Sequence, residues 1–208
     1  MHEVIIPGSP SLAAILGVPS EAKGLVIFAH GSGSGRLSPR NNYVAARLRE
    51  AGLATLLLDL LTPSEEHDRH NVFDLTLLAS RLRRAADWAA TLPETGHLRI
   101  GYFGASTGGG AALLAAAQDR RIAAVVSRGG RPDLAGPKAL ALVQAPTLLI
   151  VGALDGIVID LNAAAQREMT CASQMIIVPG AGHLFEEPGT LDVVVEEARN
   201  WFLRYLGA

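Results

Sequence analysis

Residues 98–108 read Leu-Arg-Ile-Gly-Tyr-Phe-Gly-Ala-Ser-Thr-Gly, and this stretch decides the fold. Leu98 to Phe103 is a short apolar run, and Gly108 to Asp119 is an alanine-rich segment of helix length. Between them, Gly104-Ala105-Ser106-Thr107-Gly108 is a G-x-S-x-G turn set directly between strand and helix. Such a turn lifts the serine hydroxyl out of the sheet, and its glycines remove side chains that would block the reversal. The helix start behind it offers free N–H groups and a partial positive charge. A serine that merely caps a helix would look similar, so the rest of the chain must supply its chemical partners.

Working outward, the same alternation recurs along nearly the whole sequence. Gly24–Ala29, Ala54–Leu58, Ile122–Val126, Thr147–Val151 and Gln174–Val178 are further short apolar runs. Most lack polar alternation, the mark of strands in a parallel sheet covered on both faces. Helix-length segments lie between them, at about 42–51, 73–91, 160–169 and 191–205. In the second of these, Leu75, Leu78, Leu82, Ala85 and Trp88 share one stripe, with Arg81, Arg83, Arg84 and Asp87 off it. Trp88 is therefore expected in the core. The pattern predicts an α/β fold built on a doubly wound, mostly parallel sheet. Glu3–Ile6 and Leu12–Leu16 flank a Pro-Gly-Ser-Pro turn and predict an N-terminal antiparallel edge hairpin. Without repeats, low-complexity tracts or a linker, residues 1–208 are expected to form a single domain.

Composition narrows the function classes. Apolar residues make up 49% and charged residues 18%, enough to fill a core and too little charge for disorder. The net charge of −2 and the lack of a basic run argue against a nucleic-acid partner. The lone Cys171 cannot form an internal disulfide or a cysteine-based zinc site, and is expected as a packed thiol at a helix–strand junction. Met1-His2-Glu3 lacks the basic start of a signal peptide, and no run reaches the ~18 apolar residues that span a membrane. A cytoplasmic protein without a membrane partner, monomeric or homodimeric, is the expectation.

Ligands meet such sheets at the carboxyl ends of the strands. There Ser106 needs a base, and His183 follows the last apolar run in Gly180-Ala181-Gly182-His183. His2, His67, His70 and His97 are terminal, in a charged loop, or at the wrong end of the sheet. Asp155, after the run that precedes the His183 strand, can orient the imidazole. Asp160 is the alternative carboxylate, although it better suits a helix N-cap. For an oxyanion hole, one N–H is expected from Thr107. The second should come from His30-Gly31-Ser32-Gly33-Ser34-Gly35, with Ser32 favoured over Gly33 and His30 as a loop anchor.

The HGSGSG loop, the GASTG elbow, the Asp155 loop and the GAGH segment occur in this order and cover nearly the whole chain. In this the sequence resembles the dienelactone-hydrolase-like branch of the α/β-hydrolase superfamily. The resemblance implies cofactor-free and metal-free hydrolysis of an ester, lactone or related acyl compound through a Ser-His-Asp triad of Ser106, His183 and Asp155. It departs at one point: dienelactone hydrolases proper use a cysteine nucleophile where this chain has Ser106. A general carboxylesterase acting on a small-molecule acyl substrate is therefore expected over a dienelactone enzyme. An acyltransferase with the same triad and a non-catalytic binding module are the alternatives.

Only 128–145 separate the strand after the elbow helix from the next, too few residues for a cap domain. An open cleft is expected, rimmed by loops at 32–40, 61–72 and 128–133. Arg36, Arg40, Arg128 and Arg131 fall on these loops, either to attract an anionic substrate group or, as favoured here, to pair with Asp133, Glu65 or Glu66. The acidic and histidine residues of 65–70 are expected as a solvated loop, not a metal site. A dinucleotide site fails because the third glycine position after Gly31 and Gly33 is Arg36.

Overall fold

The computed structural model describes residues 1–207. Eight strands form one sheet: β1 (His2–Ile6), β2 (Leu12–Gly17), β3 (Leu25–Ala29), β4 (Ala54–Leu58), β5 (Ile100–Ala105), β6 (Ile122–Arg128), β7 (Thr147–Gly152) and β8 (Ser173–Val178). Their order is β1-β2-β4-β3-β5-β6-β7-β8. Strands β3 to β8 run parallel, while β1 pairs with β2, and β2 with β4, in antiparallel register. This is the expected α/β-hydrolase sheet with its N-terminal edge hairpin.

Because side chains alternate along a strand, each central strand feeds two cores. From β3, Ile27 and Ala29 enter one apolar cluster, and Val26 and Phe28 the other. The first cluster is closed by α4 (Leu75–Ala90) through Leu78 and Leu82, and by α5 (Thr107–Gln118) through Ala112 and Leu113. The second is closed by α1 (Pro39–Glu50) through Val44 and Leu48, and by α8 (Thr190–Leu206) through Val194, Ala198 and Phe202. Burial on both faces explains the unbroken apolar runs of the sequence. Among the described residues, no helix is long and apolar enough to cross a membrane.

Several boundaries differ from the sequence reading. The region 61–72 is not a plain loop: it holds α2 (Pro63–Glu66) and α3 (Arg69–Phe73). Helices this short leave no periodicity, but Thr62 and Glu65 form a capping box that was readable in the sequence. Asp74 then breaks the expected 73–91 helix, its carboxylate accepting the Leu77 N–H at 3.0 Å to restart it as α4. Trp88 is half-buried against the first cluster, but Arg81, expected off the apolar stripe, is buried. Its guanidinium donates to Glu65 at 2.7 Å, which turns the charge inward over α2. Residues 132–142 carry a 3₁₀ turn (Pro132–Ala135) and α6 (Pro137–Leu142), with no cap.

Phe28 is 1% exposed, with its ring centroid 4.9 Å from that of Phe103 on β5. Truncation at this junction removes contacts from two strands at once. Phe28→Ala is expected to cost about 3–5 kcal/mol, read as a lower urea midpoint at unchanged slope. A loss under about 1 kcal/mol would show that this core is not close-packed.

Candidate active site

One residue makes the reversal from β5 to α5. Ser106 has φ 50° and ψ −123°, a conformation that costs a non-glycine residue about 1–3 kcal/mol and persists only where neighbours enforce it. Here they do. The Ser106 N–H donates to the Arg128 carbonyl at 3.2 Å, and the Ser106 carbonyl accepts from Gly109 at 2.9 Å and Arg131 at 3.0 Å. The flanking glycines allow the close approach: a Cβ on Gly104 would lie 2.5 Å from the Gly108 carbonyl oxygen, and one on Gly108 would lie 2.2 Å from that of Ala29.

Although Ser106 occupies the N-cap position of α5, its side chain makes no capping bond. The hydroxyl faces His183 instead, with Oγ 3.3 Å from Nε2. On the other side of the ring, Nδ1 lies 2.6 Å from Asp155 Oδ2. Asp155 is itself at the N-cap of α7 (Gly156–Glu168), again without a capping bond. The helix therefore begins earlier than the sequence suggested, and Asp160 lies inside it rather than capping it. Both polar side chains best placed to cap a helix are turned to one imidazole. The imidazole is half-exposed, and the carboxylate is more deeply set.

The loop carrying His183 is held by Glu187, whose carboxylate accepts the Gly182 N–H at 3.0 Å. That donor holds the Glu187 carboxyl below the usual carboxylate range. Sequence reasoning missed this clamp, since a glutamate five residues on in a loop carries no pattern. Ser32 lines the cleft together with Ser106, and Thr107 is the first residue of α5, directly after Ser106. Among the described residues, neither backbone N–H has a protein acceptor. His30 anchors this loop, as expected: Nε2 accepts the Leu60 N–H at 3.0 Å and Nδ1 donates to the Gly31 carbonyl at 2.9 Å. Burial pushes its pKa below the ordinary histidine value, so the ring is neutral.

A family model described as the dienelactone hydrolase family matches residues 12–204. The chain belongs to that family. A crystal structure of dienelactone hydrolase from Anabaena variabilis ATCC 29413 is 55% identical, covers 99% of this chain and 97% of its own, and superposes with a TM-score of 0.96. Est1E from Butyrivibrio proteoclasticus shares the fold at 19% identity, with 97% and 98% coverage and a TM-score of 0.83. Relatives from two strains of Mycobacterium tuberculosis, provisionally named phosphoribosyl transferases, are 57% identical over 203 residues, 97% of this chain. The chain spans only 46% of their length.

Two cavities flank the Gly31–Ser32 turn of this family member. One, of about 200 Å³, is lined by Ser106, His183, Arg40, Asn41 and Arg128. The other, of about 170 Å³, is mainly apolar, with Leu60, Leu61, Val72 and Leu78 beside Thr107. The segment 61–72 does not line the Ser106 cavity itself, but through Leu61, Pro63 and Glu66 it lines, with residues 32–40, a third and open cavity of about 550 Å³ that shares Ser32, Ser34, Ser38 and Arg40 with the Ser106 cavity. Of the four arginines singled out in the sequence, Arg131 pairs with Asp133 as expected, while Arg36 pairs with Asp59 and Arg40 with Glu186. Arg128 pairs with none of the expected acids: it is a buried strand residue and not a loop residue. Among the described residues, no cluster of three or more His, Cys, Asp or Glu could hold a metal.

Burial lowers the His30 pKa in the folded state only. The unfolded chain takes up the proton first, so His30 lowers stability as pH falls below about 6.5, with no such effect above it. The melting temperature of the protein is expected to drop more steeply from about pH 6.5 to 5 than that of His30→Gln. Parallel curves would mean that His30 is not held neutral.

Proposed function

We propose that this chain is a serine hydrolase that cleaves a small carboxylic ester, or a related lactone or thioester, through an acyl-enzyme at Ser106. The observation that carries the reading is the withdrawal of two N-cap side chains from their helices toward one imidazole. Both helices forgo a side-chain capping bond, and the Ser106 backbone is strained as well. Strain maintained by surrounding bonds is a hallmark of functional sites.

The steps follow from the geometry. His183 Nε2 accepts the Ser106 proton as Oγ attacks the acyl carbon, and Asp155 holds Nδ1–H and stabilises the imidazolium. The Ser32 and Thr107 N–H groups receive the developing oxyanion, each such donor contributing about 3–4 kcal/mol. Collapse breaks the bond to the leaving group, and His183 donates its proton to the departing atom. Water then attacks the acyl carbon as His183 takes its proton; collapse breaks the bond to Oγ, His183 returns the proton to Ser106, and the carboxylic acid leaves. Every step uses side chains and backbone of this chain, with a small-molecule acyl substrate as partner.

The apolar cavity beside Thr107 suits the acyl group. At about 30 Å³ per small heavy-atom group, 170 Å³ holds roughly four to six of them. Butanoyl esters of para-nitrophenol are expected to exceed dodecanoyl esters in kcat/KM by about tenfold or more, since a long chain must leave part of its surface in water. The reverse preference would remove this cavity from the substrate path. Ser106→Ala is expected to lower kcat by about 10⁴–10⁶-fold with the thermal transition retained, and to abolish labelling by a fluorophosphonate probe. An unlabelled folded wild type, or a loss under about tenfold in the variant, would defeat the serine hydrolase reading.

A further inference from the structure

Helix α1 buries Asn41, Val44, Ala45 and Leu48, which share one face at helical spacing. Val44, Ala45 and Leu48 enter the second apolar cluster, while the remaining position holds an asparagine that is 2% exposed. Its Oδ1 is buried and accepts no hydrogen bond among the described residues. Capping does not account for it: Ser38 caps the helix, its Oγ accepting the Asn41 backbone N–H at 3.4 Å. The next residue shows what a structural asparagine does here, since the Asn42 amide donates to the Arg36 and Ser38 carbonyls at 2.8 and 3.0 Å. Asn162 also has an unpaired Oδ1, but its amide nitrogen ties the Gly130 and Val158 carbonyls at 3.0 and 2.8 Å. The Asn41 amide holds no backbone in this way.

A buried acceptor without a donor opposes folding, and a leucine would complete the apolar stripe of α1. The exception falls where the stripe meets the site: of the four buried residues, Asn41 alone lines the Ser106 cavity, together with His183. Ser32, Ser34 and Arg128 line it too and carry hydrogen-bond donors. A hydroxyl both gives and takes a hydrogen bond, so it can answer the amide and one of these donors at once. An alkyl group in the same place would leave the Asn41 amide unpaired and shut off from water. Such a site rejects the analogue that lacks the hydroxyl.

We propose that Asn41 is a specificity residue that hydrogen-bonds a hydroxyl on the leaving-group half of the substrate, so that the site prefers acyl esters of polyols. The inference rests on the hydrolase reading of Ser106 and names the class of alcohol that the site releases. His183 assigns the half. The departing atom takes its proton from Nε2, so the leaving group lies on the His183 side. Asn41 lines that cavity, and the apolar cavity contains neither residue. A volume of about 200 Å³ fits a leaving group of roughly six or seven heavy atoms, the size of glycerol. A sugar would extend into the open cavity of about 550 Å³, which adjoins through Ser32, Ser34, Ser38 and Arg40.

The test compares the butanoyl esters of glycerol and glucose, each acylated on a primary hydroxyl, with 2-methylbutyl butanoate, in which methyl groups replace the free glycerol hydroxyls. Each kcat/KM is divided by the rate of that ester with hydroxide, which removes differences in leaving-group reactivity. The wild-type value is expected to be about tenfold or more higher on at least one hydroxylated ester than on the alkyl ester. The glycerol and glucose esters separate a small polyol from a sugar. In Asn41→Leu that ratio is expected to fall by about tenfold, mainly through KM, because the hydroxyl takes no part in the reaction. Its melting temperature is expected to rise, since an unpaired buried acceptor has been removed. Asn41→Ala is expected to lower the ratio likewise, and reads the site even if leucine overpacks the stripe. A structural amide, or one that serves the oxyanion, would depress all three esters alike and leave the ratio unchanged. A wild-type ratio near one, or a ratio that survives both substitutions, overturns the proposal and leaves the hydrolase reading standing. No turnover of any ester together with no fluorophosphonate adduct at Ser106 overturns both.

Discussion

The imidazole of His183 joins side chains separated by 77 and 28 positions in the chain, and the rest of the site is arranged around that junction. Neither bond is local. Each depends on β5, β7 and β8 running parallel, so that the loops after all three strands open on the same end of the sheet. The strand between, β6, supports the elbow from the side by accepting the Ser106 N–H. A parallel sheet buried on both faces is a stiff platform. It is therefore able to maintain a serine in a backbone conformation that the isolated segment would not populate.

Charge around the site follows the same geometry. His30 is neutral because it is buried, and in that state it ties the 30–35 loop to the residue Leu60 just beyond β4. Glu187 remains ionised at the opposite loop by accepting a backbone N–H. Between these two clamps, the Ser106 cleft carries two guanidinium groups and no lining carboxylate, while the cavity across the Gly31–Ser32 turn is mainly apolar. The two sides thus offer opposite environments. This asymmetry comes from which strand end each residue terminates and would be lost in a random arrangement of the same residues.

Much of this was legible in the sequence, because it rests on local patterns. The G-x-S-x-G turn between an apolar run and an alanine-rich helix, the histidine after the last strand, and the aspartate after the strand before it all have fixed offsets from strand ends. The short helices at 63–66 and 69–73 were not legible as helices, since neither completes two turns. Arg81 was misplaced because helical periodicity assigns a face and says nothing of Glu65, which comes from another segment to meet it.

The sequence by itself determined the order of strands and helices, the antiparallel N-terminal edge, and the positions of Ser106, Asp155 and His183 at strand ends. Alternation and turn chemistry are properties of neighbouring residues, so they can be read along the chain. Only the tertiary structure decided that Asp155 and not Asp160 faces the imidazole, and that both N-cap side chains serve it in place of their helices. It also decided that Arg128 is buried without an acidic partner beside Ser106 while Arg36, Arg40 and Arg131 are paired. The physical reason is the same in each case. Which partner a polar side chain finds, and whether water reaches it, depends on segments far away in sequence that packing brings together.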